Sequence, residues 1–243
     1  MTLQTDLPLF PLDVTVFIPS PWPSADLKEL ARTSDGHDFA AKWEREGRGL
    51  PASEWLGHRL AQACQIATPF TATLRYGGEQ GFGSRIEGDV STWNSLAPSE
   101  RAIVLAHCSK AMCGLLALDI FVGNDDRHLN NWLFRRNLDQ QWVPLCIDFS
   151  RALFRRGFPS DIWPLPPCNT LSTIELMKAA GRWDGSSAVF AVEQLQRVTP
   201  EVLKHWLTEC PALWLPEPER AALTSWWASS AYHKRIQSTY ALL

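Results

Sequence analysis

In the stretch "LDIFVGNDDRHLNNWLF", from Leu118 to Phe134, two adjacent acids, an arginine, a histidine and three asparagines lie between the mostly apolar runs 118–122 and 132–134. The apolar residues before it continue back to Ser99 and have the composition of a long, mostly buried helix. The apolar residues after it begin a segment typical of a strand. A buried helix and a buried strand do not need this much polarity between them to fold, so the stretch predicts a functional site.

The whole chain has the composition of an ordinary globular protein. Its 243 residues are 45% hydrophobic and 20% charged, which suits one large domain or one domain with two lobes. The net charge of −3 gives no electrostatic reason to expect nucleic acid or a membrane as a partner. The N-terminus has no secretory signal and no apolar run approaches the roughly 20 residues of a membrane helix. We therefore expect a cytoplasmic protein whose six cysteines are free thiols.

Short strands and turns are typical of the first third of the chain. The segments "VTVFIP" (14–19), "HDFAAKWE" (37–44) and "PFTATLRY" (69–76) predict strands, and a helix opened by Pro51 or Ser53 is predicted to run to Ile66. The glycine-rich residues 77–88 predict a tight hairpin and the approach to a hinge. Helical patterns dominate from about Thr170 onward. This order predicts an α+β protein, with a small strand-rich N-lobe (1–90) and a helical C-lobe (91–243).

A predicted hairpin follows the polar stretch. The runs at 131–136 and 142–148 read as strands around the turn residues 137–141, after a helix that Ser99 is expected to cap. A turn centred between Asp139 and Gln140 sets Asn131 opposite Asp148. Directly opposed side chains lie about 5 Å apart. We therefore expect these two residues to converge with Asp126 of the preceding loop.

Two carboxylates and an amide oxygen are ligands that Mg²⁺ accepts when a phosphate completes its shell. This is the arrangement of a phosphotransferase, in which a loop aspartate orients the acceptor hydroxyl while Asn131 and Asp148 hold the metal on the nucleotide phosphates. Such a site also needs a cation for the phosphates. Lys42, at the end of an apolar strand, is the candidate, and Glu54 on the following helix could pair with it.

The polar stretch and the segment "PLCIDFSRALF" (144–154) together resemble the catalytic loop and metal-binding segment of HipA-like kinases. The upstream order agrees, and the resemblance extends from about Val14 to Phe154. It implies a bilobal protein-kinase-like fold, ATP and Mg²⁺ as cofactors, and a Ser or Thr of a protein as acceptor. The residues that it carries over are Lys42 for the ATP phosphates, Glu54 as its partner, Asp126 as catalytic aspartate, and Asn131 with Asp148 as Mg²⁺ ligands.

The resemblance also bears on partners. Members of that family often act as toxins beside a helix-turn-helix antitoxin, so a small DNA-binding partner is expected, although the chain itself has no sign of DNA contact. The D-R-H-x-x-N pattern at 126–131 is also similar to phosphoinositide 3- and 4-kinases. That similarity implies a catalytic part for His128, which otherwise braces the loop, and leaves a lipid acceptor as an alternative.

The chain departs from the family pattern in three features, and the second of them, at the loop expected to cover the phosphates, keeps a non-catalytic, kinase-shaped interaction module open. Ser150 replaces the glycine of a D-F-G motif, and no G-x-G-x-x-G precedes Lys42. The residues expected over the phosphates are instead 19–26, with Ser20 and Ser24 as candidates. The chain is also short for the extra N-terminal subdomain of the larger HipA toxins, which a separate polypeptide could supply. A transition-metal site at Asp125, Asp126 and His128 is a further, weaker alternative.

Overall fold

The strands of the first third form a closed barrel with the order β1-β2-β3-β5-β4. The computed structural model describes residues 10–20, 29–46, 48–159 and 163–243. The barrel strands are β1 (Leu12–Pro19), β2 (Glu29–Thr33), β3 (Asp38–Trp43), β4 (Thr71–Tyr76) and β5 (Glu79–Arg85). Their small core includes Phe39 and Leu74, both fully buried. The tight hairpin predicted from the glycines joins β4 to β5, with positive φ at Gly77 and Gly78.

Helix α1 (Leu50–Ala63) carries Glu54 and follows β3, the strand that carries Lys42. It begins after Gly49, whose φ of 71° is left-handed, and Pro51 lies in its first turn. Ser53 is therefore inside the helix and does not cap it. The helix is buried along most of its length and belongs to the larger hydrophobic core, together with α2 (Pro98–Val122).

Helix α2 runs through the centre of that larger core. Its N-cap is Ala97 and not the predicted Ser99, and Glu100 accepts a hydrogen bond from the Ala97 N–H at 3.1 Å. Contrary to expectation, this helix is long and apolar enough to cross a membrane. Its C-terminal half is packed inside the protein, however, which is typical of a central core helix. The six cysteines all lie in the described residues and are free, as predicted.

A second sheet has the order β6-β7-β8, formed by Val90–Thr92, Trp132–Arg136 and Trp142–Cys146. The predicted hairpin of β7 and β8 is present, but the predicted register is wrong by one residue. Trp132 pairs with Cys146, so Asn131 does not lie directly opposite Asp148. The reason is a three-residue turn whose last member, Gln140, has a left-handed φ of 60°.

The remaining helices complete an α+β architecture, as predicted. They are α3 (Asn169–Ala179), α4 (Gly185–Gln196), α5 (Pro200–Glu209), α6 (Glu217–Trp227) and α7 (Ser230–Ala241). Trp55, Trp132 and Trp206 are buried in the larger core. The division into lobes at residues 90 and 91 stays a prediction.

Candidate active site

One cleft brings together four of the six predicted site residues. Lys42 comes from β3, Glu54 from α1, Asn131 from the end of the polar loop and Asp148 from the segment after β8. Apolar side chains form much of the remaining wall, and these include Ala40, Phe82, Leu133 and Ile147. A mostly apolar cleft with a few convergent polar groups is the usual form of a small-molecule site.

Asp148 is held as a carboxylate in this cleft. Burial by itself would raise its pKa, but the nearby Lys42 ammonium and the hydrogen bonds from Ser150 bring the pKa below its ordinary value. The Ser150 N–H donates to Asp148 Oδ1 at 3.0 Å. The Asp148 backbone has a φ of 65°, a left-handed conformation that aspartate tolerates better than most residues.

Glu54 is buried, with only 2% of its surface exposed. Its Oε2 accepts a hydrogen bond from the Phe149 N–H at 3.0 Å, which ties α1 to the residue after Asp148. Burial and, to a smaller extent, the nearby Asp148 carboxylate raise the pKa of Glu54 to about 7, while Lys42 acts in the opposite direction. Lys42 thus attracts both carboxylates. A direct Lys42–Glu54 ion pair stays a prediction.

Gly57 explains how α1 approaches the segment after β8 so closely. A Cβ at this position would lie 2.3 Å from the Cγ atom of the Phe149 ring. Glycine therefore lets the Phe149 ring pack directly against the helix, three residues after Glu54. This contact and the hydrogen bond from the Phe149 N–H hold Phe149 against α1. They therefore fix the position of the preceding residue, Asp148, relative to the helix.

His58, which the sequence analysis did not single out, also lines the cleft. Its Nδ1 lies 2.8 Å from the Glu54 carbonyl oxygen, so Nδ1 carries the proton, and 4.0 Å from Glu54 Oε2. Burial lowers the pKa of His58 to about 4, so the ring is neutral at pH 7. A histidine four residues after the glutamate, on the same helix face, is the signal that could have identified it.

Glu54 and His58 make opposite contributions to the pH dependence of stability. The folded-state pKa of Glu54 is raised, so its contribution is present below about pH 4.5 and is lost as pH rises through about 7. The folded-state pKa of His58 is lowered, so stability is lost as pH falls from 6.5 toward 4. We expect the two effects largely to cancel between pH 4.5 and 6.5 in the wild type.

Single substitutions should expose each effect in chemical denaturation at a series of pH values. In that window the free energy of unfolding should rise with pH in Glu54→Gln and fall with pH in His58→Gln, with slopes of at most about 1.4 kcal/mol per pH unit. The exposed pair Arg45→Gln and Glu79→Gln serves as a control that should leave the wild-type profile unchanged. Parallel profiles for the two cleft variants would contradict the assignment.

Arg127 holds the backbone of the polar loop (123–131) from inside. This side chain has no exposed surface and forms a bidentate ion pair with Asp119, at 2.8 and 3.1 Å. It also donates to the carbonyl oxygens of Asn131, at 2.9 Å, and Ile147. Because Asn131 is one predicted metal ligand and Ile147 directly precedes the other, Asp148, one guanidinium fixes the spacing of both segments.

The two adjacent acids of the loop have different surroundings. Asp125 is mostly buried and pairs with Arg151 at 3.0 Å and with Arg156 at 2.7 Å. Asp126 lies closer to the surface, and its Oδ1 accepts a hydrogen bond from Asn169 Nδ2 at 2.5 Å. Asp125 therefore has a structural role in this loop, and the catalytic role of Asp126 stays a prediction.

Asn131 and His128 complete the loop. Asn131 Nδ2 donates to the Asp126 carbonyl oxygen at 2.8 Å, which leaves its Oδ1 as the acceptor of the side chain. The His128 N–H donates to the same carbonyl at 2.9 Å, and its buried ring Nδ1 has no hydrogen-bond partner among the described residues. His128 is not among the residues that line the cleft, so its catalytic part stays a prediction.

Two sequence hypotheses concern metal and phosphate. Within the described ranges no group of three or more His, Cys, Asp or Glu side chains could hold a metal ion, so the transition-metal alternative at Asp125, Asp126 and His128 gains no support. Of the residues expected to cover the phosphates, Pro19 and Ser20 are described, while Ser24 and the others lie outside the described residues.

Comparisons with known proteins bear on the fold. No protein-family model matches the chain, and no curated protein matches its sequence. Among solved structures, it is similar to the proinflammatory kinase CtkA of Helicobacter pylori, with a TM-score of 0.60 and 12% identity over 96% of this chain and 98% of that one. It is also similar to HipA of Shewanella oneidensis, solved with HipB and operator DNA. That match has a TM-score of 0.52 and 12% identity, and it covers 82% of this chain and 57% of HipA.

Proposed function

We propose that this chain, which has the fold of the HipA-like kinases, is an ATP- and Mg²⁺-dependent phosphotransferase acting on an alcohol group. One observation carries the proposal. A lysine, an amide and a carboxylate, taken from three distant parts of the sequence, line one cleft beside the loop that holds Asp126. A scaffold without nucleotide chemistry does not need that convergence of polar groups in an apolar cleft.

The donor set suits the cofactors. Asp148 is ionised and Asn131 presents its amide oxygen, which are hard ligands of the kind that Mg²⁺ takes together with phosphate oxygens. Mg²⁺ would neutralise charge on the ATP phosphates. Lys42 would hold the α- and β-phosphates, and Glu54 would keep the lysine in place. The buried Oε1 of Glu54, which has no hydrogen-bond partner among the described residues, is available to Lys42 for that purpose.

Asp126 would act on the acceptor. It would orient the hydroxyl and take its proton as the acceptor oxygen bonds to the γ-phosphorus and ADP leaves with the electron pair of the broken bond. A Ser or Thr of a protein is the proposed acceptor, in a cytoplasmic setting. We include a small helix-turn-helix partner in the proposal, supported by the similarity to a HipA that was solved with HipB and DNA.

A lipid acceptor remains the second candidate. It is favoured by His128, whose buried ring nitrogen lacks a partner among the described residues and stands two positions after Asp126. Phosphotransfer from labelled ATP to a protein lysate and to phosphoinositide vesicles, run in parallel, would separate the two acceptor classes.

Calorimetry of Mg·ATP binding tests the nucleotide site. We expect binding by the wild type that requires Mg²⁺, and at least a tenfold weaker affinity in Asp148→Ala, because a charged ligand of the metal is lost (about 1.4 kcal/mol or more). Asp139→Ala, which removes an exposed aspartate from the turn of the β7-β8 hairpin, is the matched control and should bind as the wild type does. Absence of Mg·ATP binding by folded wild-type protein would overturn the proposed function in favour of a non-catalytic module.

A further inference from the structure

The first turn of α3 is attached to the catalytic loop, although it is distant from it in sequence. The N–H groups of Asn169 and Thr170 both donate to the Asp125 carbonyl oxygen, at 3.0 and 3.4 Å. The Thr170 hydroxyl donates to the Asn124 carbonyl at 2.7 Å and accepts from the Arg127 N–H at 3.0 Å. The helix start therefore fixes the backbone on both sides of Asp126.

One of these contacts reaches a side chain. Asn169 Nδ2 donates to Asp126 Oδ1 at 2.5 Å, across 43 residues of sequence. Among the described residues, the hydroxyls of Thr170 and Thr173 bond only to backbone atoms, and both threonines are buried, whereas Asn169 is exposed. Replacing the Asn169 side chain therefore removes little packing, and its main consequence falls on the Asp126 carboxylate.

The chemistry of Asp126 gives this hydrogen bond a consequence. A carboxylate that is to take a proton from a hydroxyl needs one oxygen directed at it, and the rotation of the carboxyl group sets that direction. Asn169 occupies Oδ1. The other oxygen, Oδ2, lies 4.0 Å from Arg151 Nε, and that guanidinium is already paired with Asp125. The amide of Asn169 thus fixes the plane of the carboxylate and leaves Oδ2 as the atom that meets the acceptor.

We propose that Asn169 is a positioning residue for the catalytic Asp126, acting through its side-chain amide from the first turn of α3. This inference rests on the proposed phosphotransfer. Asn169 does not touch the nucleotide cleft, so it acts on the rate of transfer and not on the binding of Mg·ATP.

Three substitutions at this position test the inference by steady-state kinetics. Asn169→Ala removes the donor and should lower kcat about 10- to 100-fold at unchanged KM for ATP. Asn169→Asp keeps the shape, lacks the donor and places a second negative charge beside Asp126, so its loss should be at least as large. Asn169→Gln retains the amide on a side chain one methylene longer and should recover most of the rate. Ser172→Ala, in the same turn, removes a hydroxyl that donates to the Cys168 carbonyl; it is the control and should match the wild type.

A double substitution separates positioning from a general loosening of the fold. Because Asn169 acts through Asp126, adding Asn169→Ala to Asp126→Asn should slow the reaction no further. An active wild type with an Asn169→Ala variant of unchanged kcat would overturn the inference alone. A rate that falls again in the double variant would do the same. A wild type that transfers no phosphate to any acceptor class would instead remove the proposed function on which the inference rests.

Discussion

Replacing Asp126 with asparagine is expected to lower the rate of phosphotransfer by about 10²–10⁴-fold and to leave Mg·ATP binding intact. The asparagine has the same shape and still offers an oxygen to Asn169 Nδ2, so the loop should keep its conformation. Its side chain cannot take the proton of an acceptor hydroxyl. The measurement is single-turnover transfer from labelled ATP, with calorimetry of nucleotide binding on the same samples.

Asp125→Asn is the matched control for this prediction. The two aspartates are neighbours, yet the Asp125 carboxylate is engaged by Arg151 and Arg156. Its substitution should therefore act on stability more than on chemistry, and the transfer rate should fall far less than in Asp126→Asn. A larger loss of rate in Asp125→Asn would exchange the roles of the two acids.

The parts of this site that the sequence predicted are those set by short-range geometry. Asp126 and Asn131 lie in one loop, and the structure links them by a single hydrogen bond from Asn131 Nδ2 to the Asp126 carbonyl. The strand with Lys42 and the helix with Glu54 were each evident from local patterns, and the order of elements along the chain placed them near the loop. The fold class followed from the same order, and the similarity to CtkA and HipA confirms a kinase-like fold.

What the sequence did not predict depends on contacts between distant residues or on unusual backbone geometry. Asn169 reaches Asp126 only because α3 folds back onto the loop, and no pattern near position 169 indicates this. The hairpin register was missed because Gln140 adopts a left-handed φ, which is uncommon for glutamine. His58 is not evident from the sequence because a histidine on a buried helix face has the pattern of a core residue. Its pKa, which burial lowers to about 4, agrees with a core position.

The second large effect is expected at Arg127, on stability. Arg127→Met should lower the free energy of unfolding by about 3–5 kcal/mol, because the Asp119 carboxylate then remains buried without its cation. Neither side chain has exposed surface. Burial by itself would lower the pKa of Arg127, but the Asp119 carboxylate raises the pKa above its ordinary value. The carbonyl oxygens of Asn131 and Ile147 also lose a donor. Denaturant titration measures the loss, and the melting temperature should fall by about 10 °C.

A second substitution shows whether the stability lost in Arg127→Met comes from an unpaired buried charge or from lost packing. In Arg127→Met with Asp119→Leu no charge of the pair is left in the core, so the double variant should be more stable than Arg127→Met alone. If the double variant is instead less stable than the single one, the loss comes from packing and from the backbone contacts of Arg127.

The double variant is also expected to differ from the wild type in nucleotide binding. In the wild type, Arg127 donates to the carbonyl oxygens of both Asn131 and Ile147. Without the guanidinium, Asn131 and Asp148 are no longer held at a fixed spacing. The double variant should therefore bind Mg·ATP more weakly than the wild type even where its stability is restored.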